Sequence, residues 1–339
     1  MKTTPLTRRR FITLTAAAVG LPLALHYTGA ATQLARWEGT ALGAPASIQL
    51  YHQDARRAQG AINAALIELK RLENIFSLYQ PNSALSTLNR QGFLLEAPHD
   101  LLVMMKRALS LAQISDGVYD PTVQPLWQLY FKHFSAQHPD PAGPADHARA
   151  QALALVNWRE VELNTANHRI TMARPGMGLT LNAGAQGYIT DRIADLLRAH
   201  GFDRLLVDMG EPRALSTKPD GSAWRIAIAN PANTEQAITT LDVVDECVAT
   251  SGGYGTLFDD GGRFTHLFNT RNGLTAPALL GVSVIADTGI AADGLSATML
   301  LVPEHQRQAV LTAGGGRRAI FVTPEGIMAT VEATPNLTA

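Results

Sequence analysis

The chain has a single cysteine, Cys247. A disulfide framework is therefore excluded, as is any zinc site built on Cys-x-x-Cys pairs. Aromatic residues are scarce at 6% of 339 positions, too few for a stacking platform that grips single-stranded nucleic acid. An excess of one charge is also missing. The 28 basic and 29 acidic residues leave a formal net charge of −1, so the basic face that a nucleic-acid partner requires is not expected. No internal repeat or low-complexity segment is visible.

What is present is a large apolar fraction, 46%, ample for a substantial core. The N-terminus follows a different plan. Thr7-Arg8-Arg9-Arg10-Phe11-Ile12-Thr13 is a twin-arginine pattern, and Phe11 to Leu25 is an apolar stretch moderated by Thr, Gly and Pro. That stretch is shorter than the roughly 20 apolar residues a spanning helix needs. Residues 1–31 read as a twin-arginine signal peptide with small residues suited to cleavage around Gly29-Ala30-Ala31, and periplasmic localisation is expected. No cysteine follows the apolar stretch, so a lipoprotein anchor is ruled out. Residues 32–339 read as one large domain.

Within it, two short strands are expected over residues 36–52 with a bend at Gly43-Ala44. An amphipathic helix should follow from Asp54 to Phe76, with Ile62, Leu66, Leu69, Leu72 and Phe76 on one face. Pro81-Asn82-Ser83 reads as a turn and N-cap for a short helix through Leu88, and Pro98 to Ser115 reads as another helix. The segment 133–147 holds His133, His138 and His147. Three histidines invite a metal reading, yet no regular element fixes their spacing, and a solvated loop is the expectation.

The chain is organised around Leu179 to Asp191, LTLNAGAQGYITD. Leu179 to Leu181 predicts a buried strand, Ala183-Gly184-Ala185 a loop nearly free of side chains, and a helix begins near Gly187. Gly201 sits where a C′ glycine ends a helix. Such a loop exposes backbone to a ligand, and the helix N-terminus offers free N–H groups; a tight turn with packing glycines explains the same residues. Further strands are expected over 224–229, 237–244, 247–250 and 280–286, and helix over 291–301. Strands and helices mix without regular βαβ alternation, so the fold class is α+β.

Seven segments taken together resemble the ApbE family of FAD:protein FMN transferases: GTALGAPASI, IFSLYQPNSALSTLN, DGVYDPTVQPLW, LNAGAQGYITD, ATSGGY, THLFNTRNG and AADGLSAT. They are collinear from about Trp37 to Val331. The resemblance implies an ApbE-like, T-fold-related domain that binds FAD and Mg²⁺. It also implies transfer of FMN through its phosphate to a Thr or Ser hydroxyl of an exported or membrane flavoprotein, with release of AMP. Implied flavin contacts are Leu42, Tyr79, Val118, Tyr119, Asp120, Thr180 and Gln186. Implied metal contacts are Asp293, the carbonyl of Ala183, and position 297, where the family's hydroxyl is replaced by alanine. His266 matches the family's histidine beside the reacting phosphate.

Each residue has a plainer reading. Asp293 at the start of a helix also reads as a cap, His266 as a structural histidine, and the two tyrosines as core residues. The family's acidic residue and its lysine or glutamate flanking the central loop are here Thr180 and Gln186, and its Asp-Pro after the histidine is Asn269-Thr270. Two other functions stay open: an FAD diphosphate hydrolase, with water in place of the protein hydroxyl, and a non-catalytic flavin-binding assembly factor, to which the departures at Thr180, Gln186, Asn269 and Ala297 point.

Overall fold

The computed structural model describes residues 32–231, 233–275, 281–323 and 325–335. The expected signal peptide and its cleavage site lie outside the described residues. Strands β1 (Gln33–Ala41) and β2 (Ala44–His52) form a hairpin turned at Leu42-Gly43. Helix α1 (Ala55–Phe76) follows, capped by the Asp54 carboxylate, which accepts from the Arg56 and Arg57 amides. Ser83 caps α2 (Ala84–Gln91) by accepting from Ser86 N, and strand β3 (Phe93–Leu94) leads to α3 (His99–Ile114). The apolar segment after Thr122 is helix α4 (Gln124–Phe134), and α5 (Asp146–Leu153) precedes β4 (Val161–Asn164) and β5 (Arg169–Met172). Among the three histidines, His133 lies in the last turn of α4 and bonds its ring to the Asp140 carbonyl. Among the described residues no group of three or more His, Cys, Asp or Glu side chains is placed to hold a metal.

Helix α6 (Ala185–Ala199) starts two residues ahead of expectation and ends at Gly201, φ +87. Gly201 N donates to Arg198 O and Phe202 N to Leu197 O, the paired bonds of a left-handed glycine stop. Strands β6 (Leu205–Asp208), β7 (Pro212–Leu215), β8 (Trp224–Asn230), β9 (Asn233–Val243), β10 (Cys247–Gly252) and β11 (Gly281–Ala286) come next. The chain closes with α7 (Gly289–Leu301), α8 (Arg307–Ala313), β12 (Gly316–Val322) and β13 (Met328–Glu332).

Eight strands form one antiparallel sheet in the order β1-β2-β6-β7-β10-β11-β12-β13. Alternation divides its faces. Val207, Val284 and Phe321 join the core beneath α1, α3, α6 and α7, while their neighbours Leu206, Ile285 and Ile320 pack against the β8–β9 hairpin. The fold is α+β, as the mixed pattern implied.

One expected strand is absent. Leu179 and Leu181 are buried, but residues 178–181 belong to no strand or sheet. The Asn89 side chain takes the place of a neighbouring strand: its Nδ2 donates to Leu179 O at 2.8 Å and its Oδ1 accepts from Leu179 N at 2.7 Å. Thr180 N donates to Pro121 O at 2.8 Å. Buried backbone must find partners, and an asparagine with both groups on one amide supplies two of them without a ladder.

Candidate active site

A cavity of about 520 Å³ opens at the N-terminus of α6. The β1–β2 turn, the loops after α1 and before α4, the turn after β6, the C-terminal end of β10 and helix α7 enclose it. All eleven residues singled out from the sequence line this one cavity: Leu42, Tyr79, Val118, Tyr119, Asp120, Thr180, Ala183, Gln186, His266, Asp293 and Ala297.

Asp293 lies in the second turn of α7, so it does not cap its own helix. It caps α6 instead: Gly187 N donates to Asp293 Oδ2 at 2.9 Å. A Cβ at Gly187 would stand 2.1 Å from the Gly289 carbonyl, so this approach of the two helices requires glycine. The Gly187 amide is the one that would close the first helical turn on Ala183. Among the described residues no amide closes on the Ala183 carbonyl, which is left outside the helix ladder beside the cavity. Asp293 is 3% exposed, and burial pushes its carboxyl up to about 7 against the pull of the Gly187, Gly184 and Gln186 amides. Ala297 lines the cavity one turn further along α7.

His266 approaches from a loop that two isolated bridges, Leu257 with Thr265 and Phe268 with Thr275, hold in shape. The few aromatic residues concentrate here: Tyr130 of α4 packs against Phe258, Phe264 and Phe268, and its hydroxyl donates to Gly273 O. His266 Nδ1 lies 3.2 Å from the Thr256 carbonyl. Because a carbonyl only accepts, that contact puts the proton on Nδ1 and leaves Nε2 with its lone pair. Burial lowers the imidazole below its ordinary 6.5 despite the opposing Thr256 carbonyl, so the ring is neutral and basic at Nε2.

The flavin-contact candidates behave differently from one another. Tyr79 is 77% exposed at the rim, which excludes the core reading; Ser77 Oγ accepts from its amide and that of Gln80. Leu42 has φ +48, and its amide donates to Glu73 Oε1 at 2.9 Å. Asp120 is committed internally: Oδ1 accepts from the Thr122 amide and hydroxyl, and Oδ2 from Trp158 N. It faces the cavity as the corner of a locked loop. Tyr119 is 7% exposed, and its hydroxyl has no hydrogen-bond partner. Burial and the nearby Asp120 and Asp293 carboxylates push that hydroxyl's pKa up. Gln186 packs on Gly210.

Residues not found from the sequence are Glu211, Thr250, Ser251 and Tyr254, which also line the cavity. Glu211 carries the one signal available, an acid directly after glycine at the end of a buried strand. Burial and the charge of Asp293 push its carboxyl well up.

The profile of the ApbE family matches residues 42–321. The FAD:protein FMN transferase of Treponema pallidum is 30% identical over 299 residues, 80% of each chain, and that of Salmonella typhimurium is 28% identical over 287 residues, 82% of this chain and 81% of that protein. Among solved structures, the apo form of the Pseudomonas stutzeri flavinyl transferase ApbE superposes with a TM-score of 0.75 at 26% identity, over 89% of this chain and 95% of the other. With its fold, its cavity and this match along most of its length, the chain belongs to the ApbE family and is an enzyme of that kind.

Proposed function

We propose that this protein transfers FMN from FAD to a Thr or Ser hydroxyl of an exported or membrane flavoprotein, with Mg²⁺ bound and AMP released. One observation carries the reading: a neutral histidine with a free Nε2 lines the same cavity as a buried carboxylate and a backbone carbonyl freed from its helix.

The donors fit a hard divalent cation. Asp293, the Ala183 carbonyl and the backbone at Ala297 would offer oxygen only, which suits Mg²⁺. The orphaned Tyr119 hydroxyl beside Asp293 leaves room for a further polar partner. When bound, such a cation neutralises charge on a diphosphate.

The chain's own residues supply the rest. An acceptor hydroxyl is a poor nucleophile until a base takes its proton, and His266 Nε2 is the base. The acceptor oxygen bonds to the flavin-side phosphorus, the bond from that phosphorus to the bridging oxygen breaks, and AMP departs with the bridging oxygen. The proton rests on His266 and passes to solvent. Leu42, Val118, Thr180 and Gln186 line the space for FAD, and Tyr79 at the rim offers a ring face for stacking. The Arg8-Arg9 pair supports export to the periplasm by the twin-arginine route, where the acceptor would be met.

The test is mass spectrometry of a threonine-bearing acceptor segment incubated with the protein, FAD and Mg²⁺, with AMP measured in parallel. AMP release and a mass gain of one FMN phosphoester are expected, and EDTA should stop both. AMP at the same rate without acceptor, and no mass gain with it, assigns hydrolysis; no AMP at all assigns flavin binding alone.

A further inference from the structure

Four acids with buried side chains stand in or beside the cavity, and their partners separate them into two classes. Asp120 has three donors of its own. Asp191 accepts from Arg213 Nη1 at 2.8 Å and from the amides of Gly289 and Ile290. Both are spent. Glu211 is 8% exposed, and its one side-chain bond among the described residues is from Thr250 N to Oε2 at 3.1 Å. Asp293 accepts backbone amides only. Among the described residues neither Glu211 nor Asp293 forms an ion pair.

The fold brings these two underpartnered acids to the same end of α6. Glu211 follows Gly210 in the turn after β6, and a Cβ at Gly210 would meet Gln186 Nε2 at 2.3 Å. The next residue, Gly187, holds Asp293. Neighbouring residues of one helix terminus thus contact the segments that carry the two carboxylates, and both line the one cavity. Burying two carboxylates without counter-charge is costly. An independent sign points to a missing partner: the Tyr119 hydroxyl is buried in the cavity wall near Asp293 with nothing to bond.

We propose that Glu211 is the second side-chain carboxylate of the cation site, facing the same ion as Asp293. With alanine at 297, α7 itself brings no second side-chain oxygen to the cavity at the turn after Asp293, and Glu211 supplies the further charge from the sheet. The proposal rests on the cation reading given above.

Calorimetric titration of the folded protein with Mn²⁺, in the absence of FAD, tests it directly. Wild type is expected to bind one ion; Glu211→Gln and Asp293→Asn should each weaken it by about tenfold or more, with thermal unfolding still cooperative. Should Glu211→Gln fail to fold, Glu211→Asp, which retains the charge on a shorter arm, is expected to bind measurably more weakly than wild type. Wild-type affinity in a folded Glu211 variant, with affinity lost in Asp293→Asn, would overturn the role of Glu211 while leaving the cation reading standing. No Mn²⁺ binding by wild type would remove both.

Discussion

Asp191 and Asp293 cap each other's helices. Asp191, on α6, accepts from Gly289 N at 2.6 Å and Ile290 N at 2.9 Å at the start of α7; Asp293, on α7, accepts from Gly187 N at 2.9 Å in the first turn of α6. Thr288, at the N-cap of α7, makes no side-chain capping bond, so this cross-cap does the work a local residue usually does. Arg213 balances the charge of Asp191. Asp293 has no such partner among the described residues, and the cavity lies on its side of the pair.

The glycines at the crossing follow from this. Gly187→Ala would put a Cβ 2.1 Å from the Gly289 carbonyl and 2.7 Å from the Asp293 side chain. Neither neighbour is the far end of a flexible chain, so the helices must part. A loss of about 3 kcal/mol is expected, read as a lower thermal midpoint, together with loss of AMP release. A midpoint within a degree of wild type would contradict the close packing.

Asp293 has two roles that one pair of variants separates. Asp293→Ala removes both the charge and the acceptor for Gly187 N, and an unpaired buried amide costs about 1–3 kcal/mol. Asp293→Asn keeps an acceptor and removes only the charge. Both variants should lose Mg²⁺-dependent turnover, while thermal melts show destabilisation in the alanine variant alone. Full turnover in the asparagine variant would reduce Asp293 to a cap.

His266→Ala should slow AMP release with acceptor present by about 10²-fold or more. The pH profile carries the sign. Burial holds the folded imidazole below 6.5, so the neutral base persists as pH falls through 6.5, and at saturating Mg²⁺, where the bound cation keeps Asp293 ionised, the limb His266 contributes to kcat/KM lies below that value. The unfolded chain takes up its proton first, so stability from this group is full above 6.5 and is lost as pH drops below it. An acid limb unchanged in His266→Ala under those conditions would remove His266 as the base.

The proposed export is tested at Arg8 and Arg9. Replacing both with lysine should leave a folded precursor in the cytoplasm, scored by fractionation and immunoblot. Normal periplasmic yield from the double lysine variant would rule out the twin-arginine route.

Features set by neighbours along the chain are legible before folding. The turn ending at Ser83 caps the helix it precedes, Gly201 ends α6, and the apolar spacing of α1 matches its buried face, because caps and periodicity act over a few residues. Family segments also marked eleven residues that meet in one cavity. Other features need contacts across the fold. Leu179 to Leu181 looks like a strand, yet the backbone of Leu179 is satisfied by a side chain ninety residues earlier. Asp293 reads as the cap of its own helix and serves instead as the cap of another. Glu211 is one acid among twenty-nine until β6 pairs with β2 and β7 and turns it inward under Thr250. In each case the deciding partner is distant in sequence, and a hydrogen bond or a buried charge takes its meaning from whatever the folded chain sets against it.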